Sequence, residues 1–442
     1  MSKRTLIKNC IPEVGKEVII NGWVQTVRSH GKIAFLDVMD RSAIIQVVCT
    51  GEQLGDIRPQ FVVSIIGIVA NRPEKLINPN ISTGGIELQA NKINILSKAE
   101  ELPFDMGSKD LNLQLPTLLD YRALTLKHPK VKMIFKIQSA LVKEFRKAAE
   151  ELECEEVFVS AIASGATEGG AEVFSIDYFG HRAFLTQSPQ IYKQIMVGAL
   201  ERVFTIAKAY RAEPSVTTRH LTEATQMDIE MAFVTLEELL DSLEFVGVYM
   251  VKNVSEKYEN ILKEFNVEKP LISSTVPRLT LREAQAIITK RTGRNLSGEL
   301  DLNPEDEKEI CAWGKEEHQS DFVTITHFPT KKRAFYTMPD SNNPEYSLSY
   351  DLLFRGIEIL SGSQRINEYE QLIESMKNKG VNPEKFNIYT MAFKYGMPPE
   401  GGFSFGLERL TMKLLDLQNI REASLFPRDM DRIDERLHPV HK

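Results

Sequence analysis

Through the first hundred residues, apolar and polar positions alternate in short β-branched runs. Val18–Val27, Ile33–Met39, Ala43–Cys49, Phe61–Ala70 and Ile86–Ile95 are separated by Gly, Asp, Asn and Pro, which is the chemistry of strands and turns. Five strands in so short a span predict a small closed barrel, with a fragment of a β-sandwich as the alternative. From Glu101 to Pro129 the alternation lapses and Pro103, Pro116 and Pro129 appear, as expected of a hinge between domains. At Val131 the period changes: Ile134, Ile137, Leu141, Phe145 and Ala148 recur every three or four residues, which predicts a helix. Further helices are expected over Leu236–Phe265 and Leu281–Thr292, and strands over Phe184–Thr186, Val203–Arg211, Glu223–Phe233 and Asp351–Leu360. Hairpin-like gaps separate these strands, so the fold class expected is α+β, with helices packed on an antiparallel sheet. The expected organisation is a barrel over residues 1–100, a hinge over 101–130 and a second domain over 131–442.

Charge and composition narrow the function. The commonest five-stranded barrel is the OB-fold, which binds oligonucleotides. Residues 1–100 hold 12 basic and 9 acidic residues, a mildly positive front on a chain of formal net charge −7. Across 442 residues, 42% are hydrophobic and 26% charged, the make-up of a globular protein of two or three domains. No apolar run approaches the ~20 residues of a membrane span, and the basic start lacks the apolar core of a signal peptide, so neither membrane insertion nor export is expected. Cys10, Cys49, Cys154 and Cys311 form no Cys-x-x-Cys pair, and the eight histidines lack zinc spacing. No zinc site or disulfide framework is expected, and the reducing cytoplasm is the expected compartment.

Three segments carry chemistry. Tyr210–Glu223 reads YRAEPSVTTRHLTE; on a strand Arg211 and Glu213 share a face, the competing reading being a solvated hairpin with surface ion pairs. Ser349–Arg365 sets Asp351, Glu358 and Ser361 in apolar strand sequence. These are hard oxygen ligands of the kind magnesium takes beside phosphates, and buried charges that are otherwise structural ion pairs. Gly401–Leu410, GGFSFGLERL, brings glycines to a helix start, where backbone can approach a ligand and N–H groups favour phosphate.

Together these segments resemble class II aminoacyl-tRNA synthetases, with YRAE, TTRHLTE and DIEMAF (210–233) similar to the second family motif and GLERL (406–410) to the third. QSPQIYK (187–193), ATEGGAEVF (166–174), FYTMPD (335–340), RGIEILSGSQR (355–365) and LFPRD (425–429) narrow the resemblance to aspartyl-tRNA synthetases of the short archaeal and eukaryotic type. It spans essentially the whole chain, including an OB-fold domain that binds the anticodon in that family.

The resemblance implies formation of aspartyl-adenylate from aspartate and ATP, then transfer to the 3′ end of tRNA(Asp). A carboxylate is already a nucleophile at neutral pH, so positioning and charge stabilisation suffice, in keeping with the absence of a Ser-His-Asp or Cys-His arrangement. By resemblance, Arg211 contacts the α-phosphate and the substrate carboxylate, and Arg211 and Arg409 are the catalytic cations. Glu213 and the backbone near Leu221 recognise adenine, which stacks between Phe233 and Arg409; Arg219 and His220 meet the outer phosphates, and Gly406, Leu407 and Glu408 complete the ATP site. Glu358 and Ser361, with Asp351 close by, hold Mg2+. Arg365 forms a forked pair with the aspartate side chain; Lys193 adds a second cation, Gln190 and Ser361 orient the substrate, and Glu168 closes over its ammonium. Arg28, Phe35 and Gln46 are implied to read the anticodon, although Phe35 within IAFLDV would otherwise be an ordinary core residue. A homodimer is implied as well.

The chain departs from the family pattern in places. Ser160 stands where the first motif ends in proline, Ser404 where glycine is common, and Lys208 where proline or glycine is usual. Gln25 and Thr83 replace the Trp and Lys carried by archaeal relatives that charge tRNA(Asp) alone. A non-discriminating enzyme that also charges tRNA(Asn), partnered by an amidotransferase, is therefore open. So are asparaginyl-tRNA synthetase and a paralogue that no longer charges tRNA.

Overall fold

Alternating sequence becomes a barrel in β1 (Glu17–His30), β2 (Ile33–Met39), β3 (Ile44–Thr50), β4 (Val62–Asn71) and β5 (Ile86–Ser97). They close in the order β1-β2-β3-β5-β4, with β3 and β5 parallel and the other pairs antiparallel. Ile20, Val24, Leu36, Val38, Val47, Val63, Ile65 and Leu88 fill the interior, because side chains at every second position of a strand point inward. The computed structural model describes residues 4–165, 172–213 and 217–437 and divides into two units, Met1–Leu113 and Gln114–Lys442.

In the second unit the chain runs through β6 (Glu155–Glu156), β7 (Ile162–Ala163), β8 (Ser175–Tyr178), β9 (His181–Leu185), β10 (Arg202–Tyr210), β11 (Glu223–Ala232), β12 (Arg278–Thr280), β13 (Phe322–Thr326), β14 (Ser349–Phe354), β15 (Ile357–Gln364) and β16 (Glu400–Gly406). Eight of them form one sheet, in the order β12-β13-β14-β15-β16-β11-β10-β6, and β7-β9-β8 form a small separate one. The central pairings are antiparallel, but β12–β13 and β6–β10 at the two margins are parallel, so the sheet is mixed rather than wholly antiparallel. The principal helices are α1 (Pro129–Glu151), α2 (Gln190–Leu200), α3 (Leu236–Lys257), α4 (Leu281–Thr292), α5 (Pro304–His318), α6 (Tyr369–Asn378), α7 (Asn387–Lys394) and α8 (Leu407–Leu414). Ile137, Leu141 and Phe145 of α1 and Leu239, Leu243 and Val246 of α3 are buried in one cluster with Ile229, Leu360, Phe403 and Phe405 of the sheet. Among the described residues no helix is long and apolar enough to cross a membrane.

Several expectations need correction. The strand expected over Asp351–Leu360 is a hairpin: Arg355 (φ 48°) and Gly356 (φ 82°) both lie left-handed between β14 and β15, the two-residue turn whose twist suits adjoining strands. The helix expected over Leu236–Phe265 breaks at Tyr258. Helix α5 was not foreseen, although Asn303 accepts bonds from the Glu305 and Asp306 amides and Pro304 occupies the first turn, both ordinary signs of a helix start. Within 101–130, short helices span Leu115–Asp120 and Arg122–Thr125. Arg122 donates to the carbonyls of Leu425 (2.8 Å) and Glu422 (3.1 Å), so this half of the segment is fastened to the second unit.

Candidate active site

A cavity of about 130 Å³ opens where the three chemical segments meet; it is lined by Arg211, Arg219, His220, Leu221, Glu358, Ser361, Gly406, Glu408 and Arg409. Strand geometry explains the convergence. The register of β14 on β15 slips between Leu352 and Leu353, pairing them with Leu360 and Glu358 and leaving Ile359 as the extra residue of a bulge. Without it, Glu358 and Ser361 would face opposite sides; the bulge turns both toward the cavity. No described carboxylate pairs with Arg211, and Glu213 lies two residues beyond it. Arg409 donates from Nη1 to the Glu358 carbonyl at 3.2 Å and lies 3.4 Å from its carboxylate. Burial and the neighbouring charges of Arg409 and Arg219 lower the His220 pKa.

Four nucleotide-site expectations change. Phe233 is 66% exposed and sits at the Pro399 end of β11, whereas Gly406 and the cavity lie at the opposite end, beside Gln226. It cannot stack on a base held by Arg409; the β11 residues lining the cavity are Ala224, Thr225 and Gln226. The Glu408 carboxylate is occupied by the Thr225 amide (2.9 and 3.1 Å) and braces β11. Leu407 is core, so any ligand contact there is through backbone. Asp351 is bound to Arg333 (2.8 Å), which also donates to Ser361 Oγ (3.2 Å). Burial lifts the Asp351 pKa to about 6, against the pull of Arg333 and helped by Glu358, and its Oδ1 has no partner. Among the described residues no three His, Cys, Asp or Glu groups could hold a metal alone. Two carboxylates and a hydroxyl fit a hard cation that brings phosphate oxygens and water with it.

Next to the cavity, joined to it where Ser404 donates to Asp228 at 3.0 Å, lies a buried cluster of charges. Gln190 and Lys193 are the first and fourth residues of α2, Asp228 and Glu230 on β11 share a face, and Arg365 follows β15. Lys193 Nζ meets Asp228 Oδ1 at 2.7 Å and Glu230 Oε2 at 3.0 Å. Arg365 donates to Glu230 from Nε (2.6 Å) and Nη2 (3.2 Å), to Ser363 Oγ from Nη1 (2.6 Å), and to the Gly402 carbonyl (2.9 Å) and Gln190 Oε1 (3.4 Å) from Nη2. Burial opposes the Lys193 charge, but the Asp228 and Glu230 carboxylates outweigh it and raise the pKa. The forked pair expected between Arg365 and a substrate is therefore made with Glu230, and the two cations are already matched by carboxylates. Gly401 and Gly402 serve this packing rather than a ligand at the helix start: a Cβ on Gly402 would collide with the Glu230 carboxylate, and one on Gly401 with Leu239. Glu168 lies outside the described residues.

On the barrel, Phe35 points away from the core residues Ala34 and Leu36 and is half-buried on the outer face. The core alternative for it is thereby removed. Arg28 lies opposite it across β1–β2 and donates to Asp37 (3.0 Å) and Gln46 (3.4 Å), and Gln46 donates to Glu87 (3.1 Å). The three expected residues thus share one patch. Gln25 is the extra residue of a β1 bulge; it lines a hollow of about 550 Å³ with Thr26, Arg58 and Phe104, and its Nε2 has no partner. Thr83 is buried with its hydroxyl donated to the Ile44 carbonyl, so it presents no donor at the surface.

The sequence pattern of class II tRNA synthetases (D, K and N) matches residues 114–430, and that of the OB-fold nucleic acid binding domain matches 18–96. An aspartate–tRNA(Asp/Asn) ligase of Thermus thermophilus is 39% identical, over 97% of this chain and 99% of that protein. An aspartate–tRNA(Asp) ligase of Pyrococcus furiosus is 40% identical over the same shares. The asparaginyl-tRNA synthetase of Pyrococcus horikoshii with bound asparaginyl-adenylate superposes with a TM-score of 0.88 at 29% identity, covering 99% of this chain and 100% of that one. The chain belongs to the class II aminoacyl-tRNA synthetases, on their aspartate–tRNA ligase branch.

As a synthetase of this class it is a ligase that uses ATP with a divalent metal and has tRNA as its partner. Sequence reasoning passed over five ionisable residues in and beside the cavity: Asp228, Glu230, Glu307, Arg333 and Glu400. Two were signalled, since MDIEMAF places acids two apart, hence on one face, within an apolar strand, where they require cations. Glu307 on α5 pairs with Arg219 and accepts from the Glu358 amide at 3.3 Å; burial pushes its pKa up to about 7 despite Arg219. Nothing local in DEKEI marks that long-range contact. Replacing Glu230 with Gln strips the fork from Arg365 and one partner from Lys193. It should lower the unfolding free energy by about 3–5 kcal/mol, as removal of one member of a buried pair does, read from denaturant titration.

Proposed function

We propose that the protein activates L-aspartate with ATP to aspartyl-adenylate and transfers it to tRNA(Asp), and that it also charges tRNA(Asn). The observation that carries the choice of amino acid is the donor pattern of the buried cluster. Lys193 has used two of its three N–H groups, Arg365 Nη1 has one left, and the Gln190 Nε2 amide has no partner. On these three side chains every unused group is a donor. A carboxylate accepts from all of them, whereas an asparagine amide would set its own NH₂ against a donor and leave it unpaired.

In this reading Arg211 and Arg409 face the α-phosphate and Arg409 stacks on adenine from one side. Glu213 and the backbone at Leu221 meet the base edge, and Arg219 and His220 take the outer phosphates. Glu358 and Ser361, with Asp351 behind them, hold Mg2+ together with the nucleotide; the metal neutralises phosphate charge when bound. Arg211 keeps the substrate α-carboxylate in line, and the closed walls around Lys193 keep water from its side chain. Phe35 stacks on an anticodon base while Arg28 and Gln46 bond its edge, with aromatic stacking worth about 1–3 kcal/mol per base.

Charging of tRNA(Asn) is supported by Gln25 and by the likeness to the Thermus aspartate–tRNA(Asp/Asn) ligase; an amidotransferase converting Asp-tRNA(Asn) would then be a functional partner. A homodimer is supported by Phe158 and Ile162, exposed on either side of Ser160, an apolar patch of the kind interfaces cover. The cytoplasm is the compartment where these substrates occur together.

Three outcomes test the reading. Labelled aspartate should be charged onto both tRNA(Asp) and tRNA(Asn) transcripts; charging of tRNA(Asp) alone would remove the amidotransferase. Arg409→Ala should reduce aspartate-dependent ATP–pyrophosphate exchange by at least about 100-fold and leave tRNA affinity near normal. Phe35→Ala should weaken charging about 10-fold or more while sparing exchange; equal loss of both would place Phe35 outside tRNA recognition.

A further inference from the structure

The pocket that holds Lys193 and Arg365 contains a third carboxyl group with no cation of its own. Glu400, at the start of β16, is completely buried. Its Oε1 accepts from Gln194 Nε2 at 2.7 Å, and Gln194 Oε1 in turn accepts from the buried Tyr389 hydroxyl at 3.0 Å. Its Oε2 has no partner, and no described Lys or Arg forms an ion pair with it. The groups that face it are Glu230 from β11, Lys193 and Gln194 from α2, Tyr389 from α7, and Arg365. Two cations in this enclosure are already bonded to Asp228 and Glu230. Ionised, Glu400 would leave three carboxylates against two cations before any substrate arrived, one of them served only by neutral donors. A bare charge so deeply buried is far less stable than a protonated acid.

We propose that Glu400 is held as a neutral acid and is a specificity-determining residue: by withholding a third negative charge, it leaves the pocket able to accept the side-chain carboxylate of aspartate. This rests on the reading of the pocket as the aspartate site. Burial drives the Glu400 pKa well above the usual carboxylate range, the Glu230 charge adds to the rise, and Gln194, Arg365 and Lys193 offset only part of it. The sign follows directly. Aspartate affinity is full while Glu400 keeps its proton and falls as pH rises through the raised pKa, because a fourth carboxylate would then enter beside three. A neutral asparagine side chain does not feel that change, so the preference for aspartate over asparagine is greatest on the acid side.

The test counts protons as well as affinity. Aspartate is titrated into the full-length protein at pH 7 by calorimetry, in buffers of different ionisation enthalpy. No net proton uptake is expected, since Glu400 already carries its proton; uptake approaching one proton per site would overturn the proposal, as an ionised Glu400 would have to be neutralised on binding. Glu400→Gln, which imitates the neutral acid and cannot ionise, should abolish the fall in aspartate affinity with rising pH shown by the unmodified protein. The same fall persisting in the variant would also overturn it. If E400Q does not fold, the proton count on the unmodified protein decides alone. Absence of aspartate binding by the unmodified protein would instead bring down the ligase reading, and this inference with it.

Discussion

The catalytic unit depends on a buried carboxylate, Glu230, that bonds two cations at once. Through it the side chains of Lys193 on α2 and Arg365 beyond β15 are fixed on β11, and Gly402 of β16 carries no side chain where its oxygens sit. Four elements distant in sequence are thereby tied at one point. Such a network adds little net stability over an apolar core, but it imposes one geometry, because any other arrangement strands a charge. The donors that remain free are aimed by the same bonds, so the constraint that orders the sheet also orders the recognition surface.

The nucleotide cavity is built on a different principle. Among the described residues Arg211 has no carboxylate partner, Arg409 leans on Glu358 and Arg219 on a carboxylate from a neighbouring helix, and the carboxylates present are too few to retain a metal ion alone. It is completed by its substrate. The buried cluster around Lys193 and Arg365 has its cations paired before any substrate arrives. One side of the site thus exacts shape and donor pattern, and the other waits for phosphate charge.

Much of this was legible in the chain. The barrel strands were visible because their apolar residues alternate, and the three chemical segments because their charges stand in apolar surroundings. What stayed hidden depends on contacts between distant positions. Phe233 ends the second motif and is aromatic, yet register places it at the wrong end of β11; only the pairing of Gln226 with Gly406 reveals that the residues from Ala224 to Gln226 form the wall. Arg333 and Glu307 are polar residues in segments with no periodic signal, and each acquires its meaning from a partner at least 18 residues away. Helix α5 failed for another reason: its apolar residues are few, so the Asn303–Pro304 start was the only sign of it.

The bulge at Ile359 has a bearing on how this segment can change over time. A regular strand tolerates substitution more readily than a change in length, since removing one residue inverts every side chain beyond it. Here the irregularity itself is what brings Glu358 and Ser361 to a common face, three positions apart. At that spacing a regular strand would swing the hydroxyl into the core, whereas loss of Ile359 would leave the two residues two positions apart and on one face with no bulge needed. Spacing and irregularity are therefore tied to each other: three positions demand the bulge, two dispense with it, and either change made alone parts the carboxylate from the hydroxyl.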